Sequence, residues 1–146
     1  MHKIRITKQF DFEAAHALEG YFGKCKDIHG HSYHLRITVS GSVDPAKPKV
    51  EDGMVMDFTD LKKIVKKEII DQFDHMLILK DDSRFRGIES QNERVQYVPY
   101  QPTCENLLLD MVSRIQNNMP EGVNLHSAFL RETPRSYAEW FAADQL

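Results

Sequence analysis

With 146 residues, 41% of them hydrophobic and 28% charged, and a net charge of -3, the chain is long enough to bury one core and too short for two ordinary domains. The slight acidic excess offers nothing to nucleic acid or an anionic membrane surface, and no apolar run reaches the length that crosses a bilayer. The start, Met1-His2-Lys3-Ile4-Arg5, lacks the apolar stretch of a secretion signal, so the expectation is a cytoplasmic single domain over 1–146 whose Cys25 and Cys104 stay reduced.

From Lys3 to Phe12, Ile4, Ile6, Phe10 and Phe12 keep one phase of a period-two pattern, which predicts a half-buried strand. Between Tyr33 and Val43 the alternation is cleaner: Tyr33, Leu35, Ile37 and Val39 share one face, and His34, Arg36, Thr38 and Ser40 the other. Asp44-Pro45-Ala46-Lys47-Pro48-Lys49 has the prolines of a loop and ends that strand. After Thr59, a plausible N-cap, Leu61, Ile64, Val65, Ile69 and Phe73 recur at helical spacing, with lysines on the opposite side. The stretch from Lys80 to Gln101 is long for a connection, although Arg94 to Val98 fits a short extra strand. A second helix begins near Pro102-Thr103, with Leu108, Met111, Val112, Ile115 and Met119 as its apolar stripe before Pro120 and Gly122. Strands over Val123 to Arg131 and Ser136 to Ala142, joined by a turn at Thr133-Pro134-Arg135, close the chain. The order ββααββ predicts an α+β domain: a four-stranded antiparallel sheet with two helices on its apolar face. Open sheet edges and a polar second face favour a homo-oligomer.

The residues that carry chemistry begin with His29-Gly30-His31. In an extended segment its two imidazoles point to one side and reach a single ion, with the glycine leaving the metal uncrowded. His16, just past the first strand, meets them if the chain returns as a hairpin. Three histidine nitrogens suit Zn2+ and leave a fourth tetrahedral position open, as catalytic zinc sites do. The same residues also fit a polar turn beside a satisfied interior histidine. Cys25 lies four residues before His29 among lysines, as a candidate thiolate base or as a fourth ligand closing a structural site. Asp74-His75, at the end of the first helix, pairs an acid with a ring it can orient for proton transfer, or is a helix-end cap.

Phe12-Glu13-Ala14-Ala15-His16, Cys25-x3-His29-Gly30-His31, Asp74-His75, Pro102-Thr103-Cys104-Glu105-Asn106 and Glu132-Thr133, in that order, resemble the 6-pyruvoyl- and 6-carboxy-tetrahydropterin synthase family. The resemblance implies zinc on His16, His29 and His31, Cys25 as general base, Asp74 and His75 as proton relay, and Glu132 as the anchor of the pterin ring. Thr103 and Glu105 match a second pterin-side motif, where an N-cap and a first-turn acid serve equally well. The gap of three residues between Cys25 and His29 is that of the carboxy-forming bacterial enzymes of queuosine precursor synthesis. The implied reaction is a carbon-carbon lyase step from 7,8-dihydroneopterin triphosphate to 6-carboxy-5,6,7,8-tetrahydropterin, releasing acetaldehyde and triphosphate. The alternative product is the pyruvoyl pterin, and a zinc-stabilised pterin-binding assembly domain is the alternative without catalysis. The family fold is the T-fold, a barrel of joined sheets in a hexamer built as a dimer of trimers, with active sites at subunit contacts. The long stretch from Lys80 to Gln101 departs from compact members.

Overall fold

The computed structural model describes residues 2–20, 23–43, 45–46, 52–91 and 94–146. Of the loop expected over Asp44 to Lys49, only Pro45 and Ala46 fall within the described residues, as a turn. Asp44, Lys47, Pro48 and Lys49 lie outside them, as do Asn92 and Glu93.

Two long strands form the centre of the sheet. β1 (His2–His16) and β2 (His29–Val43) pair antiparallel along their whole length, from His2 opposite Val43 to His16 opposite His29. The pairing places even-numbered β1 residues and odd-numbered β2 residues on one face, where Phe12 stacks on Tyr33 with ring centroids 5.0 Å apart. Both strands extend further toward each other than the alternation suggested, so His16 and His29-Gly30-His31 lie in strand rather than in loops.

The first helix starts at Phe58, not after Thr59. Asp57 is the N-cap, its carboxylate accepting from the Thr59 N–H at 2.7 Å, because Asp57 alone has the extended backbone that lets a side chain reach the first turn. α1 (Phe58–Val65) continues through a π-helical turn (Lys66–Ile70) into the short α2 (Asp71–Phe73). Leu61, Val65, Ile69 and Phe73 are fully buried along this run. α3 (Cys104–Gln116) buries Leu107, Leu108, Met111, Val112 and Ile115 against the same sheet face. Burial of each such side chain contributes roughly 1.5–3 kcal/mol.

The sheet has six strands, not four, in the order β4-β3-β1-β2-β5-β6, and it is mixed. β3 (Met76–Lys80) runs parallel to β1, and β4 (Val95–Val98) parallel to β3. β5 (Asn124–Thr133) and β6 (Ser136–Phe141) are antiparallel on the other side. β3 escaped notice because Leu77-Ile78-Leu79 shows no alternation. Ile78 faces the main core, while Leu77 and Leu79 face a second cluster with Ala17, Phe85, Ile88, Val95 and Tyr97. The described part of the stretch from Lys80 to Gln101 is therefore built structure: it supplies the edge strand β4 and covers β3 on the face opposite the helices.

Candidate metal centre

The even phase of β1 and odd phase of β2 that bury Phe12 and Tyr33 continue past the helices to His16, His29 and His31. Their ligand atoms lie within 4.8 Å of one another. Two of the rings are fixed from behind. His16 Nδ1–H donates to the Pro102 carbonyl and His29 Nδ1–H to the Asp27 carbonyl, each at 2.7 Å. A carbonyl only accepts, so each Nδ1 carries a proton, and in the neutral tautomer each ring presents a bare Nε2. Those two Nε2 atoms stand 2.9 Å apart, lone pair to lone pair. His31 Nε2 is buried with no hydrogen-bond partner among the described residues, and Glu132 Oε1 adds a further acceptor 3.4 Å from His16 Nε2 and 3.5 Å from His31 Nε2.

Burial pulls the pKa of His16 and His31 below the usual histidine value, which outweighs the pull of Glu132 in the other direction and keeps the rings neutral. Converging lone pairs beside a carboxylate, with protons disfavoured, form a cavity that a cation satisfies. The donor set fits a divalent metal. Rings held through Nδ1 by main-chain carbonyls are oriented as metal-bound histidines are.

Gly30 has a different role from the one expected. Its side-chain position points to the opposite face, where an added Cβ would make only an ordinary contact, 3.6 Å, with the Ala14 carbonyl. The strand pleat, not the missing side chain, keeps the metal cavity clear.

The chain from residue 5 to 143 matches the family model described as 6-pyruvoyl tetrahydropterin synthase. The protein belongs to the 6-pyruvoyl tetrahydropterin synthase family. The 6-carboxy-5,6,7,8-tetrahydropterin synthase of Haemophilus influenzae is 36% identical over 142 residues, covering 94% of this chain and 98% of its own. The protein of that name from Synechocystis is 35% identical over 138 residues, covering 94% and 92%. Among solved structures, an uncharacterized protein from Wolinella succinogenes superposes with a TM-score of 0.80 at 20% identity, covering 97% of this chain and 99% of its own. The Caenorhabditis elegans 6-pyruvoyl tetrahydropterin synthase gives 0.71 at 24%, covering 97% of each. The α+β T-fold is thus shared, with six strands among the described residues of this chain.

Against that background the remaining candidate residues occupy distinct places. Cys25 sits in a half-buried 3-10 turn (Lys24–Lys26), and its sulfur is not among the ligand atoms that converge with the three histidines. Glu132, near the end of β5, turns its carboxylate to the triad. Asp74 and His75 follow α2 directly. Asp74 Oδ1 accepts from the Glu13 N–H at 3.0 Å and lies 2.9 Å from His75 Nδ1. His75 has φ 62°, a left-handed backbone that a histidine adopts at a cost, and its N–H donates to the Glu13 carbonyl. It lines a cleft of about 460 Å³ with Glu13, Gly30, Ser32 and Arg94, behind the histidine strands. No hydrogen bond or ion pair among the described residues joins Asp74 or His75 to Cys25.

Thr103 is the N-cap of α3, its hydroxyl accepting from the Asn106 N–H at 3.1 Å, and Glu105 is an exposed first-turn acid. Both bland assignments hold. Tyr33 was missed as a member of the site. Its ring centroid is 5.5 Å from that of His31, and burial and the Glu132 charge push the pKa of its buried hydroxyl up. The period-two phase that groups Tyr33 with His29 and His31 was the available signal. The carbonyls of Pro102 and Asp27 carried none, since any residue supplies one.

Proposed function

We propose that the protein is a zinc-dependent 6-carboxy-tetrahydropterin synthase, converting 7,8-dihydroneopterin triphosphate and water to 6-carboxy-5,6,7,8-tetrahydropterin, acetaldehyde and triphosphate. The observation that carries this reading is the cavity of facing Nε2 lone pairs, in a chain whose relatives bear the 6-carboxy name. His16, His29 and His31 hold the zinc, which when bound acts as a Lewis acid toward the substrate's side-chain oxygens.

Cys25 is the general base that takes a carbon-bound side-chain proton, and Asp74 with His75 forms a separate relay that returns or accepts protons. The Asp74 carboxylate keeps the His75 ring oriented through Nδ1, which leaves Nε2 to exchange the proton. Glu132 anchors the pterin, its two carboxylate oxygens matching the adjacent ring N–H and amino donors. The protein acts as a homo-oligomer built as a dimer of trimers with its sites at subunit contacts, a reading supported by the family resemblance and by the lack, among the described residues, of a hydrogen bond or ion pair between Cys25 and the Asp74-His75 pair. The product supplies queuosine precursor synthesis in the cytoplasm.

Replacement of Cys25 by alanine tests the division of labour. The variant is expected to keep about one zinc per chain and lose turnover by about a hundredfold or more. Loss of the metal together with activity, read by elemental analysis, would instead make Cys25 a ligand of a closed structural site.

A further inference from the structure

We propose that Arg84 is a positioning residue that clamps the turn carrying Cys25 beside the metal centre. This gives the extended segment between β3 and β4 its role. The proposal rests on the assignment of Cys25 as the base, but the clamp itself is visible in contacts that need no substrate.

The Arg84 guanidinium reaches across to the turn at two points. Its Nη2–H donates to the Lys26 carbonyl, and the same nitrogen lies 3.6 Å from Asp27 Oδ1. Asp27 is also the residue whose carbonyl holds the His29 ring. The turn closes on itself through Lys26 N–H to Gly23 O and Asp27 N–H to Lys24 O, both 3.2 Å, and the Cys25 carbonyl accepts from Leu18 N–H at 2.9 Å. One side chain thus braces both the cysteine turn and the backing of a metal-facing histidine.

Arg84 is itself held. Glu19 Oε1 accepts from the Ser83 hydroxyl at 2.9 Å and from the Arg84 N–H at 3.2 Å, and Ser83 is 4% exposed. Gln101 locks Glu19 in turn: the Glu19 N–H donates to Gln101 Oε1 at 2.9 Å, and Gln101 Nε2–H donates to the Glu19 carbonyl at 2.5 Å. The next residue, Pro102, backs His16. Phe85 and Ile88 pack on the Ala17, Leu77 and Leu79 cluster; the Arg84 guanidinium lies 4.5 Å over the Phe85 ring, while Ile88 anchors the segment with no contact to that head group among the described residues. A planar donor that reaches a carbonyl and a carboxylate together suits arginine and not lysine.

The experiment compares zinc-loaded Arg84→Ala, Arg84→Lys and Arg86→Ala with the parent by amide hydrogen exchange and by steady-state kinetics. Arg86 lies in the same segment but bonds the Asp81 carbonyl, away from the Cys25 turn. In Arg84→Ala the Leu18, Lys26 and Asp27 amides are expected to exchange about tenfold faster while those of α3 and β2 keep the parent rates. The same variant is expected to lose about tenfold in kcat with KM little changed, to be improved by added guanidinium ion, and to be only partly restored in Arg84→Lys. Unchanged exchange at those three amides, or an equal acceleration everywhere, overturns the clamp whatever the substrate. Faster local exchange with parent kcat overturns the positioning role. If the parent does not turn over the pterin triphosphate, the function proposed above fails while the exchange data still decide the clamp.

Discussion

At the scale of single residues, Cys104 and His75 give the sharpest expectations. Burial, with the charges of Glu132 and Glu105, pushes the Cys104 thiol up to about 12, and its S–H donates to the Leu130 carbonyl. The folded protein therefore keeps a proton that the unfolded chain loses above about pH 9, so stability falls as the pH rises through that range. Cys104→Ala should flatten this alkaline decline in denaturant titrations, and an unaltered slope would remove Cys104 as its cause. The same burial predicts one thiol labelled per native chain at neutral pH, Cys25, and two after unfolding. His75, with φ 62°, stores strain for the sake of its ring. His75→Gly should raise stability by about 1 kcal/mol while abolishing turnover, and a lower melting temperature would show that the conformation is not strained. The three histidines were legible because the pleat carries them on one face. The Pro102 and Asp27 carbonyls were not, being main chain, and Glu132, named as a site residue through the resemblance, gave no local sign that it reaches the histidines from a strand more than a hundred residues beyond His31.

Among the elements, α3 separates a structural residue from a ligand-binding one. Thr103→Ala removes the cap on the Asn106 N–H and is expected to cost about 1 kcal/mol, while Thr103→Ser keeps both stability and turnover. A variant of full stability but impaired KM would assign Thr103 to the substrate instead. The amphipathic stripes of α1 and α3 and the alternation of β2 were readable because each element buries one face. β3 was not, since its Leu77-Ile78-Leu79 run is covered on both faces and loses the period that marks a strand. The parallel pairing of β3 and β4 was hidden for a related reason. The chain reaches β1's free edge after a crossover through α1 and α2, and nothing local to Met76–Lys80 records that direction. The Cys25 turn shows the same limit, with its brace in a segment some sixty residues away in sequence.

For the molecule as a whole, β4 and β6 are open edges, and Tyr137 and Phe141 on β6 expose large apolar side chains. If the proposed site is completed between subunits, assembly and activity are expected to fail together. Tyr137→Lys with Phe141→Glu should shift the sedimentation mass from a multiple of 17.0 kDa toward the single chain and remove turnover. An active monomer would contradict a site shared between subunits. The proposed function requires that this fold and its three-histidine centre cleave the substrate's side chain. Zinc-loaded protein incubated with 7,8-dihydroneopterin triphosphate and resolved by mass spectrometry tests it most directly. Acetaldehyde in equal amount with 6-carboxy-5,6,7,8-tetrahydropterin is the expected result, and a pyruvoyl pterin with no acetaldehyde, or unchanged substrate, would contradict it.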